Sequence, residues 1–114
     1  MTVHVSLSEG ALRLPGDTEL QLLRIAHEAM GSARRRRNVR NLWVTLAVEP
    51  PAASLVIEDD GDDRVLDSGG VDLQVMRERA ERIQAQLDVA SRKPHGVRVS
   101  VVVGRGLDAD SAVG

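Results

Sequence analysis

Two short stretches and one group of helix residues carry the side chains able to do chemistry. The stretch Asp59-Asp60-Gly61-Asp62-Asp63 brings four carboxylates around one glycine. Carboxylates accept hydrogen bonds from amines and ligate hard cations such as Mg²⁺, and glycine lets the backbone lie against a flat ligand. Taken by itself, the same composition is that of an ordinary turn. It is not a calcium EF-hand loop, because counting back from Gly61 puts Val56 where the first acidic ligand belongs. The basic run Arg34 to Arg37 has the charge for a nucleic-acid contact. A solvated helix C-terminus, where cations meet the negative end of the dipole, outweighs that reading. Glu28, Ser32 and Arg35 supply an acid, a hydroxyl and a cation. Glu28 reads equally well as an exposed helix residue, and Ser32 has no His and Asp placed to make it a nucleophile. His4, His27 and His95 are too scattered to have metal-ligand spacing and read as surface or supporting residues.

The elements that must position these groups follow from periodicity. Val3, Val5 and Leu7 alternate with polar residues, giving one face of a short strand. Gly10 and Pro15-Gly16 break the chain, and from Thr18 the spacing becomes helical, with Leu22, Ala26, Ala29 and Ala33 on one stripe widened by Leu23 and Met30. Thr18 with Gln21 three residues on predicts a capping box at the helix start. Leu42, Val44, Leu46 and Val48 form a second strand, ended by Pro50-Pro51, and Ser54 to Glu58 a third that runs into the acidic loop. Leu73, Met76, Ala80, Ile83 and Leu87 recur at spacings of three and four, the core seam of a second helix, with Arg77, Glu78, Arg79, Glu81 and Arg82 on its wet side. A fourth strand begins at Val89, Lys93 to Gly96 turns the chain, and Val97, Val99, Val101 and Val103 make a fifth. The order β-α-β-β-α-β-β predicts an α+β domain, a two-layer sandwich with a mixed, mostly antiparallel sheet and both helices on one face. Residues 1–103 form this domain, and 104–114 read as a frayed tail.

Composition sets the outer bounds. A chain of 114 residues with 42% apolar and 28% charged residues suits one globular domain with an aliphatic core. Trp43 is the only aromatic residue, which leaves little material for base-stacking platforms, and the net charge of -2 gives no general pull toward nucleic acid or anionic membrane. Without cysteine there is no disulfide, thiolate metal site or thiol chemistry. No stretch reaches the ~20 apolar residues of a membrane span, and Met1 to Ser8 lacks the apolar centre of a signal peptide, so a cytoplasmic location is expected.

The element order, the acidic glycine loop after the third strand and the pair Gly69-Gly70 before the second helix together resemble the ATP-binding domain of sensor histidine kinases. That family is one branch of the Bergerat-fold superfamily that also holds gyrase, heat-shock-chaperone and mismatch-repair ATPases. Leu23-Arg24-Ile25-Ala26-His27-Glu28-Ala29 is similar to its first helix, and Asp59-Asp60-Gly61 to its Asp-x-Gly-x-Gly loop. Met76-Arg77-Glu78-Arg79-Ala80 resembles a run common in kinases that partner helix-turn-helix response regulators. The resemblance covers roughly residues 3 to 103.

It implies that Asp59 accepts the exocyclic amine of adenine, a charged hydrogen bond of roughly 1.5–3 kcal/mol, with Gly61 beside the purine. It further implies that Gly70, Asp72 and the helix start at Leu73 lie at the phosphates, that Glu28 assists transfer of the γ-phosphoryl group, and that Arg35 contacts phosphate. Several positions depart from the pattern. The Mg²⁺-binding Asn aligns with Ser32, the second loop glycine with Asp63, the next Gly-x-Gly with Gly70-Val71-Asp72, the Thr before the last strand with Val97, and a common His with Arg36. A carboxylate about 4 Å from a phosphate oxygen costs about 4 kcal/mol at an effective dielectric of ~20. The resemblance therefore implies ATP and Mg²⁺ as weakly held ligands. The partners it implies are the dimerisation and phosphoacceptor helices of a sensor kinase and a response regulator. No histidine here resembles the phosphoacceptor, which lies on a separate dimerisation helix in the family. A pseudo-ATPase that docks a partner kinase or regulator, and an anti-sigma-type serine kinase, are the alternative functions, the latter disfavoured by the run from Met76 to Ala80.

Overall fold

A computed structural model of the chain describes residues 1–7, 16–35, 38–49, 52–61 and 73–104. Strand β1 (Thr2–Leu7) is followed by helix α1 (Gly16–Arg35), strands β2 (Asn41–Glu49) and β3 (Ala52–Asp59), helix α2 (Leu73–Arg82), and strands β4 (Gln86–Ser91) and β5 (Val97–Val103). The five strands form one sheet in the order β1-β2-β3-β5-β4. β1 runs parallel to β2 and every other pairing is antiparallel. Both helices pack on one face, so the architecture is the predicted α+β sandwich.

Period-two alternation decides what each strand puts under the helices. In β3, Ala53, Leu55, Ile57 and Asp59 are buried and the residues between them half-buried. Leu42 and Val44 of β2, and Val97, Val99, Val101 and Val103 of β5, form the same inward set. α1 covers them with Leu22, Ile25, Ala29 and Ala33, and α2 with Met76 and Ala80. Ile25, Leu42, Met76 and Val101 are the largest side chains wholly removed from water, an aliphatic core built without aromatic rings.

Four details differ from the sequence expectations. α1 begins at Gly16, so Thr18 lies inside its first turn and not at its cap. Gln21, the expected capping partner, is buried instead, and its Oε1 has no hydrogen-bond partner among the described residues. α2 stops at Arg82, where Gln84 adopts a positive φ of 55°, and Leu87 belongs to β4, which starts three residues before the expected Val89. The inward residues of β1 lie beyond the helix layer, leaving Val5 61% and Leu7 64% exposed. Gly10, Pro15, Pro50-Pro51 and the expected tail from 105 onward fall outside the described residues.

Candidate functional site

Asp59 is the last residue of β3, and the alternation that buries Ile57 carries its carboxylate to the helix-facing side. It is 4% exposed and pairs across β2 with Leu42. Its Oδ1 accepts the Gly61 amide at 2.9 Å and the Val97 amide at 3.4 Å. A carboxylate in an aliphatic frame is stable only when donors meet it, and here the backbone supplies them. Those two amides fix its orientation.

Asp60 points the other way and staples the loop to the start of β2. Its Oδ1 accepts the amides of Arg40 and Asn41, both at 2.8 Å, and its Oδ2 accepts Asn41 Nδ2 at 2.9 Å. Burial raises the pKa of this carboxyl, but the bonds from the Asn41 amide, the Asn41 side chain and the Arg40 amide override it and lower the pKa from 3.8 to about 2. His95 Nδ1 lies 3.2 Å from the Gly61 carbonyl and donates to it in the tautomer protonated there. Gly96, at φ 125°, presses on the Asp59 carbonyl so closely that a Cβ would stand 1.9 Å from that oxygen. The end of β3 and the start of the acidic loop are thus held from three sides by Asn41, His95 and Gly96. The sequence marks none of these as a site residue, although Lys93 to Gly96 reads as a turn. Continuing the Ala53, Leu55, Ile57 alternation by two positions is the signal that places Asp59 inside.

On α1, Glu28 and Arg35 lie two turns apart on one side, and their charged groups approach to 3.7 Å. Arg35 folds back beside Gly31, where a Cβ would stand 3.4 Å from its Nη1. Ser32 sits on the same helix but is only 1% exposed, on its inward side, and its hydroxyl does not face open solvent. Leu73 starts α2 as expected. Val97 contributes its amide to Asp59, while its side chain joins the core. Arg36, Asp63, Gly70 and Asp72 fall outside the described residues. Among the described residues no cluster of His, Asp and Glu has the makings of a metal site, and no helix is long and apolar enough to cross a membrane.

The opposite face of the sheet holds the chain's one aromatic residue. Trp43 stacks on His4 with ring centroids 5.6 Å apart, and the Arg92 guanidinium lies 4.5 Å from its ring centroid. Glu58 bridges Arg92 at 3.0 Å and Arg98 at 3.4 Å. Successive residues of β3, Glu58 and Asp59, therefore serve opposite faces.

The two-layer sandwich with this strand order is the fold of solved histidine kinase domains. The chain is similar to the blue-light activated histidine kinase EL346 of Erythrobacter litoralis, with a TM-score of 0.67 and 18% identity over 90% of this chain and 34% of that one. It is also similar to the histidine kinase domain of the same protein, with a TM-score of 0.60 and 17% identity over 89% of this chain and 51% of that one. For the histidine kinase domain of the E. coli osmosensor EnvZ the TM-score is 0.62, with 15% identity over 89% of this chain and 73% of that one. The chain thus spans about a third of the full light-activated kinase and about half of its kinase domain. No protein-family model matches the sequence, and no curated protein does.

Proposed function

We propose that this chain is the ATP-binding and catalytic module of a two-component sensor histidine kinase whose phosphate-binding half has been altered, so that ATP is held weakly and phosphotransfer is slow or absent. The observation that carries the proposal is the Asp59 carboxylate, buried at the end of β3 and aimed by the Gly61 and Val97 amides. A fixed carboxylate with capacity for about four hydrogen bonds suits an exocyclic amine, and Gly61 offers no side chain to block a flat ring.

When bound, ATP supplies the γ-phosphoryl group. The chain's own residues divide the remaining work. Arg35 meets phosphate charge, and its 3.7 Å pairing with Glu28 is loose enough to yield to it, since exposed ion pairs contribute only about 0–1 kcal/mol. Glu28 then orients the acceptor. Asp63 and Asp72 oppose the phosphates, Gly70 and the α2 start at Leu73 favour them, and Ser32 replaces a better Mg²⁺ ligand. The reading places the module in the cytoplasm beside dimerisation helices and a response regulator.

One observation favours a second reading, a pseudo-ATPase that acts by docking. Ser32 is buried against the core, so the helix offers no exposed oxygen ligand at that position. Isothermal titration with ATP, with and without Mg²⁺, separates the two. Saturable, Mg²⁺-dependent heat supports the kinase module. No heat at millimolar ATP supports the docking module.

A further inference from the structure

The free edge of β1 is open to pairing with another strand. β1 ends the sheet order, and every one of its residues is exposed. The Thr2 amide donates to the Arg40 carbonyl at 2.8 Å, and the parallel register sets Thr2 beside Asn41, His4 beside Trp43 and Ser6 beside Thr45. Hydrogen bonding alternates along such a ladder, so Thr2, His4 and Ser6 turn their N–H and C=O groups toward β2. Val3, Val5 and Leu7 turn theirs outward, where they have no partner among the described residues. The side chains of the same three residues are apolar and wet, with Val3 37%, Val5 61% and Leu7 64% exposed. They lie on the helix-facing side, since their register partners include the buried Leu42 and Val44.

Open sheet edges are normally guarded by a charge, a proline or a bulge. β4, at the far edge, follows that rule with Asp88 in mid-strand. β1, Thr-Val-His-Val-Ser-Leu, holds no Lys, Arg, Asp, Glu, Pro or Gly. Read backwards about Val5, its apolar and polar alternation is the same. Antiparallel pairing with a second copy therefore sets Val5 against Val5 and Val3 against Leu7, and each outward N–H meets an outward C=O. His4 then stands opposite Ser6, and no like charges meet. Moving the two-fold axis one residue, to His4, would set the two imidazoles against each other. An axis normal to the sheet keeps both helix layers on one face, so the exposed valines and leucines of the two copies close into one apolar strip. We infer that the chain forms a two-fold dimer through β1, joining two five-stranded sheets into one. A pair of six-residue strands falls short of the ~1,200 Å² of a standard interface, so the dimer is weak and reversible. It goes beyond the proposed function and needs no nucleotide.

The test uses the full chain. Sedimentation velocity from about 10 µM to about 1 mM should show the mass rising reversibly from one copy toward two. Hydrogen exchange over the same range should slow at the Val3, Val5 and Leu7 amides and stay unchanged at His4 and Ser6, which β2 already holds. Val5→Lys and Val5→Glu, each at an exposed position, should both remain single copies, because each sets like charges across the axis. Mixed in equal amounts, they should associate at least ~10-fold more tightly than either does alone. Should one variant fail to fold, the exchange pattern of the parent protein decides. A single copy at every concentration overturns the inference. So does a dimer that Val5→Lys leaves intact, or one that slows exchange elsewhere but not at Val3, Val5 and Leu7. Slowing at those amides only when an unrelated alternating Val-Thr peptide is added would assign the edge to a foreign strand and overturn it too.

Discussion

Asp60 and Gly96 show how single residues hold the candidate slot. The native carboxyl of Asp60 has a pKa of about 2 against 3.8 ordinarily, so the unfolded chain takes up a proton before the folded one does. Its contribution to stability is complete above about pH 4 and disappears as the pH falls toward 2. Denaturant melts of Asp60→Asn across that window should show a shallower loss of stability than the parent protein, and equal slopes would remove this role. Gly96→Ala would drive a Cβ into the Asp59 carbonyl at a φ that L residues rarely adopt. It should cost at least ~2 kcal/mol in a urea melt, and a neutral result would mean the turn can move away from Asp59. Sequence reasoning reached Asp59 and Gly61 through the likeness of their stretch to an Asp-x-Gly-x-Gly loop, since by composition alone it reads as a turn. It did not reach the contacts that Asp60, His95 and Gly96 make, because their partners lie 19 to 37 positions away and only the fold brings them together.

Each element was legible where one periodicity dominated. The valines of β5 and the stripe of α1 fixed their elements, and the mixed sheet followed from their order. The ends were less legible, because helix and strand patterns overlap at Ile83 to Leu87: the spacing that extends a helical seam also places Leu87 and Val89 on one side of a strand. The capping box failed for a different reason, since Gln21 lies on the inward side of α1, where tertiary burial overrides a local cap. Met76 ties the layers together as the fully buried residue of α2 beside Ala80. Met76→Ala should therefore lower stability by about 2–5 kcal/mol in chemical denaturation. A loss below ~1 kcal/mol would show that α2 is not anchored on the core as described.

At the scale of the whole molecule, one sheet serves two environments. Its inner face buries an aliphatic core with one carboxylate at the edge, and its outer face carries the Trp43, Arg92 and Glu58 network. This division puts the Asp59 carboxylate and Trp43 on opposite sides. The proposed alteration of the phosphate half carries a prediction of its own. If Asp63 and Asp72 repel phosphate as proposed, replacing both with Gly should raise ATP affinity measured by calorimetry by at least ~10-fold, consistent with a Coulomb cost of about 4 kcal/mol per contact before screening. An unchanged affinity would mean that those carboxylates do not face phosphate. The central claim, a slot for the purine at Asp59, is tested most directly by titrating ADP into isotopically labelled protein and following amide chemical shifts. The account predicts saturable shifts concentrated at Asp59, Gly61, Gly96 and Val97 that vanish in Asp59→Asn. Shifts confined to the Trp43 face, or ones that persist unchanged in that variant, would contradict it.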